Sequence, residues 1–444
     1  MKKLTIVGGG SAYTPDILVS LLREKDLFAG WEWVLYDVAE EPVRIVAALG
    51  QSLANKARVD IKVTYSLDRD LALDGARFIL AQPRPGGLEH RALDERIPLK
   101  YGVIGQETVG PGGLSFAWRS IPVVMELLRT AFRRAEPGFW FISYTNPAGM
   151  VCEAVLRNYP DARFLALCDE PNGVQHEIAR FLRVEPSRLE MEYRGINHAG
   201  WVDHLYLKPA PGERGEVKDV LPRIRSVARL IPPLLSPAGE VPGTIRLLKE
   251  QGSLPDPYLR YYYYTSSVFS YLSKLRMTRA EFLMRRVGEL YAHYREEATK
   301  PNPTLRMHRG HASHSDLAAR AIIALLTGRK SRFIIQQRNS GSVPGLAAGH
   351  AAQFPADIGP EGWQPVPVTP LNEKQLALIK RIQEAEILNT EAALAGNRSL
   401  AVEAMATNPL VPSRTVAEKI VDELLLAHRD FLPQFFDRSP SREV

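Results

Sequence analysis

The sequence contains few cysteines, no concentrated run of one charge and no long hydrophobic stretch. Only two of its 444 residues are cysteines, which excludes a disulfide framework and favours a reducing compartment. The apolar run at residues 4–7 is too short for a signal peptide, and no later run is long enough to span a membrane. We therefore expect a cytoplasmic protein without a membrane partner.

Charge is spread evenly along the chain. Lys and Arg number 56 against 50 Asp and Glu, a formal net charge of +6, with neither a basic arm nor aromatics within a positive stripe. This pattern favours small anionic ligands over nucleic acid. With 45% hydrophobic and 24% charged residues the composition is globular, and 444 residues exceed one ordinary core. We expect two domains, or one large α/β domain with a lobe.

The first motif is a strand, a glycine turn and a helix. Residues 4–7 predict a buried strand, and Thr14 is a candidate N-cap with Pro15 at the first helical position. Such a turn lets backbone N–H groups approach a pyrophosphate at a helix N-terminus. Tyr13 stands where the usual fingerprint has its third glycine, so a purely structural turn is the alternative. The turn itself consists of Gly8, Gly9, Gly10 and Ser11.

The next predicted strand, residues 33–36, ends in Asp37. An acid at this position accepts hydrogen bonds from a ribose diol and would repel a 2′-phosphate, which favours NAD over NADP. A helix-capping role is the alternative for Asp37.

Four further apolar segments predict strands that end in polar or glycine-rich turns. Residues 61–65 alternate as an edge strand, and Asn146, which precedes a proline, is expected to present its amide at the sheet edge. Residues 91–108 are dense in charge and glycine and predict a loop over a ligand, although a salt-bridged helix face is the alternative. Six such strands predict a doubly wound, Rossmann-like parallel sheet that binds a ligand at one edge. The other strands are residues 78–81, 140–144 and 164–167.

Cys168 ends the last of these strands, and His198 follows about thirty residues later among small residues. A thiolate and an imidazole together suit a divalent transition metal. A small core residue is the alternative for the cysteine.

After His198 the chain predicts a mixed, mainly helical α+β domain. Helical spacing covers residues 217–230, interrupted at Pro222, and residues 268–294, and helices follow from residue 371. Residues 334–341 resemble a strand that ends in a polar turn. Three histidines at three-residue intervals are expected to be polar helix-start residues rather than metal ligands: His308, His311 and His314.

Six motifs in this order resemble glycoside hydrolase family 4. They are residues 8–15, 84–87, 105–113, 145–149, 168–171 and 197–198. The resemblance implies an NAD-dependent glycosidase that needs a divalent metal, usually manganese, and acts on 6-phosphorylated glucosides. We expect a 6-phospho-β-glucosidase. The alternatives are a 6-phospho-α-glucosidase, a malate- or lactate-type NAD-dependent dehydrogenase and an inactive sugar-phosphate sensor.

The resemblance also implies residue roles. Tyr258 would be the catalytic base, with Tyr261 as second choice, and Asp169 falls where some members carry a proton-donating Asp. The cofactor would lie against Gly8, Gly9, Gly10, Ser11, Tyr13, Thr14 and Asp37. The substrate contacts would be Arg91, Asn146 and Arg279, and the metal ligands Cys168 and His198.

In the implied reaction, hydride leaves C3 of the sugar for NAD+ and a tyrosinate then removes the acidified C2 proton. The leaving group is eliminated, water adds and the hydride returns, so no flanking carboxylate pair is needed. An arginine or the metal must lower the tyrosine pKa. We place an NAD-binding domain at residues 1–195 and a domain for metal binding, substrate binding and oligomerisation at residues 196–444. We expect a homodimer or homotetramer. One departure is Arg309, followed by glycine and histidine where the family has Arg-Gly-Gly.

Overall fold

The structure is a computed structural model that describes residues 1–232, 237–309 and 312–436, with the side chains of residues 312–315 outside that description. The strands are β1 (Lys3–Val7), β2 (Trp31–Tyr36), β3 (Ile61–Ser66), β4 (Ala76–Ala81), β5 (Trp140–Ser143), β6 (Phe164–Leu167), β7 (Leu189–Ile196), β8 (Ala199–Leu207), β9 (Lys218–Asp219), β10 (Leu254–Pro255), β11 (Ser331–Arg338), β12 (Ala351–Gly359) and β13 (Gly362–Pro365).

The α-helices are α1 (Thr14–Leu22), α2 (Glu40–Lys56), α3 (Arg69–Leu73), α4 (Gly87–Lys100), α5 (Gly110–Arg134), α6 (Ala148–Asn158), α7 (Glu170–Leu182), α8 (Leu221–Leu230), α9 (Glu240–Gln251), α10 (Leu259–Tyr263), α11 (Thr265–Leu272), α12 (Arg279–Ala298), α13 (Ala312–Thr327), α14 (Glu373–Ala395), α15 (Arg398–Thr407), α16 (Arg414–Ala427) and α17 (Pro433–Phe436).

The N-terminal strands form a parallel sheet in the order β6-β5-β4-β1-β2-β3, with β3 at the edge as predicted. Alternate residues of these apolar strands enter two different cores, because helices cover both faces. Leu4 and Ile6 pack in one core, whereas Val7 and Ile79 pack in the other. The strand order reverses between β1 and β4, where a doubly wound sheet binds its ligand. This confirms the predicted fold class.

The sheet continues beyond β6 with strands from the second half of the chain. β11 pairs antiparallel with β6, and β12, β7, β8 and β10 follow in that order. β7 and β8 form a tight hairpin with His198 at its tip, where the φ angle of His198 is 59°. The pairing of β11 with β6 therefore brings this hairpin to the end of β6, next to Cys168.

Helix boundaries differ from the predictions at three points. Pro222 lies in the first turn of α8 and does not interrupt a helix, because a proline there needs no N–H partner. The helix predicted over residues 268–294 is two helices, and α12 begins with a capping box in which Thr278 and Glu281 bond each other's backbone. The N-cap of α1 is Tyr13 and not Thr14, which is the first helical residue. In the part of the chain that the structure describes, no helix is long and apolar enough to cross a bilayer.

Candidate functional site

The glycine turn after β1 is packed too closely to admit side chains. A Cβ on Gly8 would lie 2.8 Å from the carbonyl oxygen of Gln82, and Gly8 has a φ of +72°. A Cβ on Gly9 would lie 2.7 Å from Leu35 Cβ. Glycines here let the turn approach the ends of β2 and β4, which leaves its backbone facing the switch point.

Side chains from three directions hold this turn in place. Thr14 is buried and accepts a hydrogen bond from Gln82 Nε2 at 2.9 Å, which explains why it does not cap α1. From α12, the hydroxyl of Tyr291 donates to Gly10 O and that of Tyr294 donates to Ala12 O. Ser11 Oγ accepts from the backbone N–H of Tyr13 at 3.3 Å. These hydrogen bonds hold the turn in place without a ligand.

Asp37 supports the same turn through its carboxylate. Oδ2 accepts from the backbone N–H of Gly10 at 2.9 Å, and Oδ1 accepts from that of Ala39 at 3.2 Å. The side chain is only partly buried, so each oxygen retains a lone pair for a ribose hydroxyl. The predicted cofactor role and the capping role are thus compatible in one residue.

Cys168 and His198 meet at the end of β6. Their Sγ and Nε2 atoms are 3.4 Å apart, both residues are buried, and the other ring nitrogen of His198 has no hydrogen-bond partner in the described structure. Burial lowers the pKa of His198 to about 4, which keeps the imidazole neutral as metal binding requires. The donor types and their convergence fit a divalent transition metal.

The thiol of Cys168 is less prepared for this role than expected. Burial and then the charge of Asp169 raise its pKa well above the usual value, and only the backbone N–H of Glu170 acts in the opposite direction. The protein's own groups therefore favour the thiol. Among the described residues no cluster of three or more His, Cys, Asp and Glu side chains could hold a metal, so the pair would leave coordination positions open.

Tyr258 lies directly over the metal-type pair. Its ring stacks on that of His198 with 4.0 Å between centroids and 5° between planes. Burial and then the charge of Glu170 raise the pKa of Tyr258 well above its usual value. The expectation was that an arginine or the metal lowers this pKa. The charge of Arg91 acts on Tyr258, and Arg260 lies 5.8 Å from its ring centroid, but burial and Glu170 prevail over them. The contribution of the metal stays a prediction. Tyr261 is instead bonded to Arg260, at 3.2 Å.

Residues 91–100 form helix α4, so the predicted loop is wrong over that part. The alternative of a salt-bridged face is correct, since Arg91 Nε bonds Glu95 at 2.7 Å, but this face is buried. Arg91 also contacts Glu107 at 2.8 Å, and Glu107 bonds Arg84 at 2.5 Å. Burial would raise the pKa of Glu107, but Arg84 and Arg91 outweigh it and lower that pKa. The second carboxylate oxygen of Glu95 accepts the backbone N–H of Ala280 at 2.9 Å.

The remaining predicted residues border this network. Asn146 lies between β5 and α6, and Asp169 is the N-cap residue of α7, directly after Cys168. Arg279, the first residue of α12, is exposed and lies over the Phe282 ring at 5.2 Å. Its charge and those of Arg84 and Arg91 all act on Arg309, so four guanidinium groups share one region. That region suits an anion.

Sequence reasoning missed several buried acids around the site. Glu107 lies within a motif that the sequence analysis named, but the sequence did not predict that Glu107 is buried and paired with two arginines. Asp256 gave no signal, although it accepts hydrogen bonds from the Tyr193 hydroxyl and the Tyr258 backbone N–H, each at 2.9 Å. Burial raises the pKa of Asp256 to about 6.

The three histidines were a separate expectation. His308 lies before α13 and bonds Asp16 at 2.6 Å between Nδ1 and Oδ1. Residue 311 and the side chain of residue 314 lie outside the described residues, so the helix-start prediction for them stays a prediction.

The sheet order, the glycine turn at the switch point and the Cys168–His198 pair define a doubly wound α/β protein with a dinucleotide-type cradle beside a metal-type pair. Residues 3–184 match the sequence model described as Family 4 glycosyl hydrolase, and residues 193–411 match that of the Family 4 glycosyl hydrolase C-terminal domain. The chain belongs to family 4 of the glycosyl hydrolases.

Known relatives cover almost the whole chain. A probable 6-phospho-beta-glucosidase of Bacillus subtilis is 34% identical over 98% of this chain and 98% of its own length. The 6-phospho-beta-glucosidase structure from Thermotoga maritima with manganese, NAD+ and glucose-6-phosphate has a TM-score of 0.84 and 28% identity, and covers 97% of this chain and 99% of its own. A 6-phospho-alpha-glucosidase from gut microorganisms, with NAD and Mn2+, has a TM-score of 0.87 and 27% identity, with 98% and 99% covered.

Proposed function

We propose that the protein hydrolyses 6-phospho-β-glucosides in an NAD-dependent redox, elimination and addition reaction with a divalent metal. The observation that carries this proposal is the stack of Tyr258 on His198, 3.4 Å from Cys168 Sγ, because it puts a phenol, an imidazole and a thiol at the end of one strand. A plain dehydrogenase would have no use for this group. The named relatives support the 6-phospho-glucoside substrate class.

The cofactor would lie against the glycine turn. Gly8, Gly9 and Gly10 leave the backbone accessible, and Ser11, Tyr13 and Thr14 lead into α1, whose N-terminus favours a pyrophosphate. Asp37 would accept hydrogen bonds from the ribose diol. NAD+ held there would supply the acceptor for the hydride from C3 of the sugar and, once reduced, the donor for its return.

The chain's own side chains would handle binding and protons. Tyr258 would remove the proton from C2, and Asp169 would donate a proton to the leaving oxygen. A divalent metal held by Cys168 and His198 would polarise the sugar oxygens and would add to the effect of Arg91, whose charge also acts on Tyr258. The contacts to the phosphorylated sugar would come from Arg91, Asn146 and Arg279.

The second candidate is a 6-phospho-α-glucosidase. The observation that favours it is the TM-score of 0.87 with a 6-phospho-alpha-glucosidase structure. Asp169, which follows Cys168 and acts electrostatically on both Tyr13 and His198, is compatible with it. A carboxyl group on that side is suited to protonate a leaving group of either anomer, and a 6-phospho-alpha-glucosidase is among the similar structures.

The test is hydrolysis of 4-nitrophenyl β- and α-glucoside 6-phosphates, each with and without NAD+, Mn2+ and a thiol. We expect cleavage of the β-anomer only when NAD+ and Mn2+ are both present under reducing conditions. Cleavage of the α-anomer alone would establish the second candidate. NADH accumulation on another polyol or hydroxy acid without glycoside cleavage would contradict both.

We also propose a cytoplasmic homodimer or homotetramer. Both cysteines are free and buried, which suits a reducing compartment. Large apolar side chains of α8, α11 and α12 are exposed and could be covered by a second copy. Size-exclusion chromatography with light scattering tests this, and a monomer at micromolar concentration would contradict it.

A further inference from the structure

A buried imidazole near the C-terminus is bonded to the helix that carries Arg91. His428 is fully buried, and its Nε2 lies 2.9 Å from Oδ1 of Asp94 in α4. Its Nδ1 lies 2.7 Å from Nδ1 of His90, one residue before Arg91. The His90 ring also packs edge-on against Phe431, with 4.5 Å between centroids. The C-terminal segment is thus attached to two successive turns of α4.

The same carboxylate connects α4 to the turn that presents Arg84. Asp94 forms a two-point ion pair with Arg119 of α5, at 2.6 and 3.2 Å. Asp94, Arg119 and His428 are all buried. Arg119 Nε donates to the backbone oxygen of Pro85 at 3.3 Å. Arg84 and Arg119 both lie over the Phe116 ring, at 5.1 and 5.3 Å. A continuous set of contacts therefore joins His428 to both arginines that hold Glu107.

The left-handed turn before α4 cannot hold its position without such contacts. Gly86 and Gly87 have φ angles of +83° and +64°, and a Cβ on Gly86 would lie 2.7 Å from His90 Cβ. Because glycines are flexible, the position of Arg84 depends on the side chains that pack against this turn. His90 and Arg119 are those surroundings, and His428 bonds His90 directly and Arg119 through Asp94.

The imidazole pair can hold one added proton but not two. Arg119 and His428 outweigh the effect of burial and keep the pKa of Asp94 low, so Nε2 of His428 must donate to this carboxylate. The contact between the two Nδ1 atoms then needs one hydrogen, which leaves only Nε2 of His90 to take a further proton. A second added proton would put two N–H groups face to face and break the contact.

The surrounding charges agree with this limit. Burial lowers the pKa of both imidazoles, and the neighbouring imidazole lowers that of His90 further. Arg429 and Asp430, beside His428 on the C-terminal segment, are exposed. The charged groups that act on the pair are Glu89 and Asp94 of α4 and Arg119 of α5.

We infer that His428 and His90 are positioning residues, which set the affinity for the phosphorylated substrate by holding Arg84 and Arg91 in place, and that a second proton on the pair weakens this affinity. The inference rests on the proposed function, because it assigns these arginines to substrate binding. It concerns KM and not the chemical step, since neither imidazole is in contact with Tyr258, Cys168 or His198 in the described structure.

Three proteins separate the two contacts. His428→Gln retains an N–H for Asp94 but loses the contact with His90. For this variant we expect the KM for 4-nitrophenyl β-glucoside 6-phosphate to rise about three- to tenfold at pH 7.5, with kcat within a factor of two of the wild type. His90→Asn replaces Nδ1 by an amide that can donate to His428 or, rotated, accept from it. Because a polar contact with His428 remains, its KM at pH 7.5 should rise less than that of His428→Gln. The matched control is His204→Gln, which removes the imidazole of a β8 residue bonded to Asp219 of β9. This control should have the wild-type KM.

The pH profile distinguishes positioning from a structural role. Burial lowers the pKa of both imidazoles, so the second proton binds only below their ordinary range. Between pH 6.5 and 4.5, KM should rise more for the wild type and His204→Gln than for His90→Asn, by about threefold. Titration of the substrate phosphate is common to all three proteins and cancels in this ratio. Identical pH profiles, or a His428→Gln variant with unchanged KM, would overturn the inference.

Binding of glucose 6-phosphate, measured by calorimetry with NAD+ and Mn2+ present, makes the result independent of turnover. If the wild type hydrolyses no glucoside, the proposed function fails, and the same variants are then compared by their Kd. A Kd ratio of one between wild type and His428→Gln would refute the positioning role by itself. Should His428→Gln not fold, His90→Asn still decides the pH-dependent part.

Discussion

The ring of Tyr258 lies flat on the ring of His198, with 4.0 Å between centroids, and Nε2 of that imidazole is 3.4 Å from Cys168 Sγ. The three side chains come from the start of α10, the hairpin between β7 and β8, and the end of β6. Their stacking links the candidate base to the candidate metal ligands, so substitutions at each should affect a different measurable step.

Cys168→Ser should remove metal-dependent turnover. A serine hydroxyl is far less acidic than a thiol and does not supply an anionic ligand, so we expect the Kd for Mn2+ to rise by roughly 10²-fold or more. Calorimetric titration with Mn2+ measures this, with glycosidase activity as the second readout. Cys152→Ala, at the other buried cysteine, is the control and should retain Mn2+ affinity. Unchanged Mn2+ affinity and activity in Cys168→Ser would contradict the metal assignment.

Tyr258→Phe should suppress exchange of the substrate's C2 proton with solvent. The phenol is the group that would take this proton, and loss of a positioned base typically costs 10²- to 10⁴-fold. Proton NMR in D2O follows the exchange at C2. Tyr261→Phe is the matched control, because its hydroxyl is bonded to Arg260 and should not be needed. If Tyr261→Phe stops exchange and Tyr258→Phe does not, the base is Tyr261.

The sequence predicted best what depends on neighbours along the chain. Each strand of the N-terminal sheet and the turn after it is a local pattern, so the positions of Gly8, Asp37, Asn146 and Cys168 followed from the switch-point rule. The proximity of His198 to Cys168 needed the pairing of β11 with β6, which joins residues far apart in sequence. The residue types alone suggested the pair as a metal site, with a small core residue as the alternative for Cys168, and the family resemblance then favoured the pair.

Helix α4 shows where local reasoning failed. Its charges, among them Arg91 and Glu95, have the composition of an exposed loop, but their partners Glu107 and Ala280 come from distant segments and permit burial. The same reason explains Tyr258, whose raised pKa follows from burial and from the charge of Glu170, a residue far from it in sequence. Composition predicts solvation only where no such partners exist.

Asp37 can be tested without disrupting the glycine turn. Asp37→Ala would also remove the acceptor for Gly10 N–H, whereas Asp37→Asn retains one oxygen for it and loses the charge. For Asp37→Asn we expect a Kd for NAD+ raised about tenfold and a smaller preference over NADP+, because a 2′-phosphate is no longer repelled. Fluorescence titration with both cofactors measures the ratio. An unchanged ratio would leave Asp37 with the capping role alone.

Glu386 of α14 offers a test of buried polarity behind the site. A Cβ on Gly149 would lie 3.2 Å from Oε2 of Glu386, near Asn197 and Gln336, and both of these residues have buried amide atoms without partners in the described structure. Burial, and then the charge of Glu153, raise the pKa of Glu386 to about 8. The carboxyl group is therefore neutral at pH 6 and about half ionised at pH 8.

The sign of the stability effect follows from proton binding. Between the ordinary carboxyl pKa and about 8, the folded state holds a proton on Glu386 that the unfolded state has released, so the free energy of unfolding falls as pH rises through this window. Glu386→Gln mimics the neutral form and should be more stable than the wild type at pH 8 by about 2 kcal/mol, with little difference at pH 5. Urea unfolding at both pH values measures this.

The control is Glu384→Gln, at an exposed position on the same helix, which should change the free energy of unfolding little at either pH. If Glu386→Gln changes the free energy of unfolding equally at pH 5 and pH 8, the carboxyl group does not titrate in the folded protein over this range. Glu386 would then be a solvent-accessible carboxylate with an ordinary pKa.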